Sequence, residues 1–143
     1  MDKGIQVDFY VLKEQIGKGE TADVFLGIDR KKNRLVAVKR LSREKLSDYG
    51  KTNLQREVEI LNKMKCPNII SLKDFKKTKN HYYIVLEYCN GGDLKKYLQD
   101  NQHPLNEFYI QKIIQQLAPA IEYMHSNNII HRDLKLENIL LFF

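Results

Sequence analysis

Three side chains able to act on a phosphoryl group stand close together near the end of the chain. They are Asp133, Lys135 and Asn138, within His131-Arg132-Asp133-Leu134-Lys135-Leu136-Glu137-Asn138. A carboxylate such as Asp133 can take the proton from an attacking hydroxyl. The Lys135 ammonium can neutralise charge on a phosphate in transfer. The Asn138 amide oxygen is a hard ligand suited to Mg2+. A short loop before a strand, here the apolar run Ile139-Leu140-Leu141, can gather all three around one reacting centre. The same residue types also make a capped turn, so the remainder of the chain has to decide.

A second stretch points to phosphate. Ile16-Gly17-Lys18-Gly19-Glu20-Thr21-Ala22-Asp23-Val24 places two glycines between runs of β-formers. Glycine permits close approach of backbone to phosphate and dihedrals closed to other residues. A strand, Gly-x-Gly, strand turn can fold over a triphosphate, although plain hairpins contain such pairs too. Leu35-Val36-Ala37-Val38 then ends on Lys39, whose ammonium either snorkels to the surface or returns beneath the glycine turn. From about Ser47, Leu54, Val58, Leu61 and Met64 or Lys65 recur at spacings of three and four, which predicts an amphipathic helix stopped by Pro67. Glu57 lies beside its apolar face.

The elements that must position these groups follow from pattern. Phe9 to Ile16 reads as one strand, and a second runs through Phe25-Leu26-Gly27. Arg30 to Arg34 forms a charged turn before the strand ending at Lys39. Asn68-Ile69-Ile70-Ser71-Leu72 begins a further strand and His81 to Tyr88 is another, with Lys76 to Asn80 as the turn between them. Cys89-Asn90-Gly91-Gly92-Asp93 has the composition of a hinge, and Asp93 can cap a helix from Leu94 to Asp100. A longer helix begins near Pro104 and reaches about His125. Ile110, Ile113, Ile114, Leu117, Ile121 and Met124 form its stripe, and Pro119 predicts a kink near Gln115.

Composition excludes several classes. No apolar run approaches the roughly 20 residues of a membrane span. Met1-Asp2-Lys3-Gly4 leads into no apolar signal region, and Cys66 and Cys89 lack metal-like spacing, so the chain reads as cytoplasmic. His125 and His131 have no carboxylate or cysteine to complete a metal site. The net charge of +6 is spread over turns and helix faces without an aromatic-interleaved stripe, which argues for a solvated surface and no nucleic-acid partner.

Taken together and in order, these motifs resemble the eukaryotic protein kinases of the serine/threonine type, from Tyr10 to Leu141. The octet is similar to the catalytic loop, Gly17 to Val24 to the glycine loop with Ala22 at its third glycine, and Val36-Ala37-Val38-Lys39 to the lysine strand. Glu57-Val58-Glu59-Ile60-Leu61 is similar to the regulatory helix. Glu87-Tyr88-Cys89-Asn90-Gly91-Gly92-Asp93-Leu94 looks like the autophagy-initiating unc-51-like branch. Leu136 departs from the usual proline.

The resemblance implies an α+β kinase domain over residues 10–143. Residues 10–88 would be the amino-terminal lobe, an antiparallel sheet with its regulatory helix. The hinge would be residues 89–93, and residues 94–143 only the start of the carboxy-terminal lobe. It implies ATP and Mg2+ as cofactors and protein serine or threonine hydroxyls as substrates. Residues 16–24 would cover the phosphates, Lys39 paired to Glu57 would contact them, and Leu86 would stand at the back of the adenine pocket. The main chains of Glu87 and Cys89 would bond the adenine edge, Ile16, Val24, Ala37 and Leu140 would sandwich it, and Asp93 would reach the ribose. Asp133 would be the base, Lys135 its electrostatic companion and Asn138 a metal ligand. No Asp-Phe-Gly occurs among the 143 residues. The expectation is therefore the amino-terminal part of a longer kinase, inert or nearly so alone, or else a truncated nucleotide- or partner-binding module.

Overall fold

Alternation along one strand explains the two faces of the sheet. In β4 (Arg34–Ser42), Val36 and Val38 are buried on one side, while Ala37, Lys39 and Leu41 share the other. The computed structural model describes residues 4–102 and 104–143, so the first three residues of the amino-terminal stretch lie outside the description. β4 sits centrally in a six-stranded antiparallel sheet of order β1-β2-β3-β4-β6-β5. Its companions are β1 (Ile5–Val7), β2 (Tyr10–Lys18), β3 (Ala22–Asp29), β5 (Leu72–Lys77) and β6 (His81–Glu87). On the first face Val36 and Val38 join Leu12, Phe25, Tyr83 and Val85 in one apolar cluster. On the second, Leu41, Tyr82 and Ile84 pack against Leu54 of α1 (Asp48–Lys63).

α1 starts where the sequence signals it: Ser47 Oγ accepts from Gly50 N at 3.1 Å, satisfying one of the first-turn amides. Leu54 is buried and Val58 packs against the same cluster, so the predicted apolar face is the one that meets the sheet. The chain divides into two compact units. One carries the sheet and α1, through Met64 and again over Ile70–Tyr88; the other comprises Lys65–Ile69 and Cys89–Phe143.

In the second unit, α2 (Leu94–Asn101) and α3 (Glu107–Ser126) are the regular elements. α3 continues through Pro119, which cannot donate to the Gln115 carbonyl. The neighbouring Gln116 carbonyl accepts from Asn68 Nδ2 at 2.8 Å, and Tyr123 Oη accepts from Lys65 N at 3.0 Å. Ala120 and Met124 are buried, whereas Ile110 and Ile114 of the predicted stripe are exposed. Among the described residues, no helix is long and apolar enough to cross a membrane.

The strands of the sheet differ from the sequence reading at three points. The one expected to begin at Asn68 starts only at Leu72, residues 68–71 being turn and loop after Pro67. β1 was not anticipated; it joins β2 through a tight turn with Asp8 at φ 54°. β5 extends through Lys76 and Lys77, which were read as turn. Lysines suit a sheet edge, and Lys76 is held by Asp8 at 2.9 Å and Asp74 at 3.4 Å.

The β3–β4 turn rests on a buried carboxylate. Asp29 is 1% exposed; its oxygens accept from Lys31 N and Lys32 N at 3.1 Å and from Arg34 Nε at 3.2 Å. Burial alone would push its pKa up, but the Lys32 amide, the Arg34 guanidinium and the Lys31 amide together hold it below the ordinary value. A carboxylate depressed on folding stabilises fully above its unfolded pKa of about 3.9, and that contribution fades as pH falls through the folded value. Asp29→Ala is expected to cost about 2 kcal/mol at pH 7 by removing the carboxylate that the Lys31 and Lys32 amides and the Arg34 guanidinium share. Urea unfolding at descending pH should show the gap between wild type and variant narrowing below pH about 4. A gap that widened with acid would contradict the assignment.

Candidate functional site

The sheet unit assembles one group of the expected residues on a single face. Cross-strand partners point the same way, as do alternate residues of one strand. Gly17 lies opposite Val24, Val24 opposite Lys39, and Ala37 opposite Leu86. Because Ala37 and Lys39 are two apart on β4, all five share the face that α1 covers in part. The glycine turn itself is tight: Gly19 N donates to Ala22 O at 2.8 Å, with Glu20 and Thr21 exposed at its tip. Ile16 is 45% exposed beside it, and Lys18 is exposed as well.

Lys39 Nζ stands 3.8 Å from Glu57 Oε1. The strand register and the helical period together bring these groups to each other across 18 residues of sequence. Their side chains are 33% and 52% exposed, so the pair orients the ammonium more than it stabilises the fold. Asp23 is engaged differently: its carboxylate meets Arg40 Nη2 and Gln15 Nε2, each at 3.4 Å. Leu86 is half-buried against the Leu41, Leu54 and Ile84 cluster. The Glu87 side chain accepts from Ser71 N at 2.7 Å, and Glu87 N donates to Ser71 O at 3.0 Å.

The second unit holds the rest. Asp93 Oδ1 accepts from Lys96 N at 2.8 Å, capping α2. Residues 139–143 run beside 90–94 through main-chain bonds: Leu94 N to Ile139 O, Leu141 N to Gly92 O and Gly91 N to Leu141 O, all 2.8 Å. The strand expected at 139–141 reduces to one bridge between Asp93 and Leu140. At Phe143 the Asn90 side chain takes over the pairing, accepting from its N at 2.8 Å and donating to its O at 3.0 Å, so no backbone ladder continues. Gly91 is needed for this approach, since a Cβ there would meet Leu141 Cβ at 2.7 Å; Gly92 has φ 68°. Cys89 opens this segment, half-buried, and Leu140 is 45% exposed.

The octet forms a loop closed by a short 3-10 turn, Leu136–Asn138. Asp133 Oδ2 receives Lys135 Nζ at 3.3 Å and Asn138 Nδ2 at 3.2 Å, and Asn138 Nδ2 also donates to the Asp133 carbonyl at 2.7 Å. His131 Nδ1 accepts from Asp133 N at 3.2 Å. Arg132 adopts φ 70°, a left-handed conformation that costs about 1–3 kcal/mol in a non-glycine residue and occurs preferentially at functional loops. The three groups singled out from the sequence thus meet around one exposed carboxylate.

Sequence reasoning missed one contributor. Lys95 of α2 meets Glu137 Oε1 at 2.7 Å, tying the 3-10 turn to that helix. Each holds the other charged: the Lys95 hydrogen bond lowers the Glu137 pKa, and Glu137 raises that of Lys95. No periodicity connects residues 42 apart in sequence, so nothing short of the fold could pair them.

The donor set also bears on cofactors. Among the described residues, no cluster of three or more His, Cys, Asp or Glu could hold a metal by itself. With Asn138 Nδ2 bonded to Asp133, its amide oxygen is the atom left for a cation. Mg2+ ordinarily takes one or two protein oxygens and completes its shell with phosphates and water. The loop therefore fits a Mg2+ that arrives with a nucleotide, not a self-sufficient metal site. The glycine turn and Lys39, in turn, present backbone and ammonium donors of the kind a triphosphate needs.

Comparison with known proteins extends this picture. The protein kinase domain family matches residues 10–142. The chain is 46% identical to the serine/threonine-protein kinase ULK1 of Homo sapiens over 130 residues, 90% of this chain and 12% of that protein. It is 36% identical to the serine/threonine-protein kinase ULK3 of Xenopus laevis over 137 residues, 95% of this chain and 29% of the relative. Against the serine/threonine-protein kinase ATG1 of Debaryomyces hansenii the identity is 32% over 158 residues, covering 94% and 18%. The chain spans less than a third of each of these relatives.

Proposed function

The chain belongs to the protein kinase family, and from that premise we propose that it is the nucleotide-binding and catalytic-loop portion of an ATP-dependent serine/threonine kinase. In this reading the glycine turn, residues 17–24, covers the phosphates, and Lys39 contacts them from β4 while Glu57 steadies its ammonium. Ile16, Val24, Ala37 and Leu140 enclose the adenine, with Leu86 behind it and the main chains of Glu87 and Cys89 along its edge. Asp93 adds a ribose contact through the oxygen not used in capping α2. Asp133 orients the serine or threonine hydroxyl and accepts its proton, and Lys135 offsets charge on the phosphoryl group. Asn138 contributes the amide oxygen for Mg2+, which would neutralise the phosphate charge that builds up in transfer.

The observation that carries this reading is the Asp133 carboxylate, held at once by Lys135 and Asn138. The Lys135 ion pair at 3.3 Å and the Asn138 hydrogen bond at 3.2 Å fix where the carboxylate points, which is what orienting a hydroxyl for proton transfer requires. Serine/threonine specificity rests on Lys135 and on the relatives, which are named as serine/threonine kinases.

A second reading is a nucleotide- or partner-binding module without turnover. These 143 residues hold no Asp-Phe-Gly, the source of the principal metal ligand in kinases. Phosphoryl transfer depends on positioning and charge stabilisation, so 143 residues acting alone should bind nucleotide yet turn over at least about 1000-fold below the roughly 1–100 per second of kinases. Transfer of radiolabelled γ-phosphate to a serine- and threonine-rich protein, beside titration with a fluorescent ATP analogue, tests both. Ordinary kinase rates abolished by Asp133→Ala would overturn the inert-alone expectation and support the catalytic roles. Absence of nucleotide binding would overturn the whole reading.

A further inference from the structure

The lysines and arginines that look dispersed in sequence are not all dispersed in the fold. Arg43 and Glu44 after β4, Lys51 in the first turn of α1, and Lys79, Asn80 and His81 at the β5–β6 turn line an open concavity of about 620 Å3. It lies within the sheet unit and shares none of these residues with the proposed nucleotide site. Its rim is fixed by main-chain bonds: Arg43 N donates to Asn80 O at 2.9 Å, and Thr78 N donates to His81 O at 2.9 Å. The Arg43 guanidinium lies 5.3 Å over the Tyr82 ring and uses one donor on Thr78 O at 2.8 Å, which leaves its remaining N–H groups in a set orientation.

The notch brings together three cations without an ion-pair partner, a state they share with most described lysines and arginines but here concentrated around one concavity. Among the described residues, Arg34, Lys39 and Arg40 of β4 and Lys76 of β5 all have a carboxylate at ion-pair distance. Arg43, Lys51 and Lys79 have none, although Glu44 borders the same concavity. Three converging cations repel one another, and a bound anion would relieve that repulsion. Asn80 and the His81 imidazole add neutral donors. Burial, with Arg40 nearby, holds the His81 pKa below its ordinary value, so at neutral pH it contributes a hydrogen bond and not a fourth charge.

We propose that this notch binds a phosphate dianion, free or carried as a monoester on a side chain, separately from the nucleotide. Fork-shaped donors from Arg43 and point charges from Lys51 and Lys79 match the three terminal oxygens of such a group. The same chemistry is offered by inorganic phosphate and by a phosphorylated side chain, and a titration can tell them apart.

The experiment is calorimetric titration of the 143-residue chain at low salt with three probes: inorganic phosphate, a phosphoserine heptapeptide and the same peptide unphosphorylated. Both phosphate-bearing probes are expected to bind and the plain peptide is not. Lys51→Ala combined with Lys79→Ala should weaken that binding by about ten-fold or more, the scale of losing charge-assisted hydrogen bonds. Lys39→Met should leave it unchanged while impairing nucleotide binding, which separates this proposal from the kinase reading. Tighter binding of the phosphopeptide than of phosphate supports a side-chain-borne group; equal binding supports the free anion. Binding that survives the double variant, vanishes with Lys39→Met, or is absent for both phosphates overturns the notch. Should the double variant melt early, Lys79→Glu on the exposed turn gives the same readout by charge reversal.

Discussion

Lys39→Met is expected to weaken binding of a fluorescent ATP analogue by about 10- to 100-fold, the loss that follows from removing a charged hydrogen-bond donor worth about 1.5–3 kcal/mol. Methionine keeps an apolar stem of similar length, so the packing of β4 should persist and the melting temperature should barely move. Glu57→Gln provides the contrast. Its ion pair with Lys39 is 3.8 Å long and its side chain is half exposed, which limits its worth to about 1 kcal/mol or less. Glu57 would act only by steadying the ammonium, so its loss should cost a few-fold in affinity. The predicted order, Lys39→Met far above Glu57→Gln, follows from direct against indirect contact. Equal small effects would mean that Lys39 does not touch the nucleotide.

What was legible in the sequence divides by the distance over which residues interact. Asp133, Lys135 and Asn138 lie within one loop, so their spacing lets them meet, although only the other motifs set this apart from a capped turn. The pairing of Lys39 with Glu57 came from the resemblance to protein kinases, since residue pattern alone reads Glu57 as an exposed charge beside the apolar face; the two stand 3.8 Å apart. Contacts that depend on tertiary approach were not legible. The strand expected at 139–141 is a single bridge with main-chain bonds to residues 91–94, and at Phe143 the Asn90 side chain replaces backbone pairing, which no apolar pattern reveals. Lys76 and Lys77 have turn-like composition yet belong to an edge strand, where charge protects an unpaired ladder. The short β1 carries too few residues for alternation to register. Along α3 the helical period shows which residues form the stripe but not what covers it: Met124 and its neighbour Ala120 are buried, whereas Ile110 and Ile114 are exposed. Lys95 with Glu137, and the notch formed by Arg43, Lys51 and Lys79, join parts of the chain that share no local signal.

Ile84→Ala should produce the largest loss of stability, about 3–4 kcal/mol, from the removed side chain together with the cavity left behind. Ile84 is 1% exposed and lies on β6, between β4 and β5, opposite Lys39 on one side and Phe75 on the other. Strands on both sides limit collapse into the space, so little of the cavity term should be recovered. Against a typical total of about 5–15 kcal/mol, such a loss should move the urea midpoint clearly. The same side chain packs with Leu41, Leu54 and Tyr82, the cluster that seats α1. Loosening that seat should let Glu57 drift from Lys39, so nucleotide affinity should fall a further few-fold even in the molecules that remain folded. Ile84→Val keeps most of the volume and should cost about 1 kcal/mol with little change in binding. If Ile84→Ala cost no more than Ile84→Val, the cluster would not be what seats α1 on the sheet. The position of Glu57 would then need another explanation.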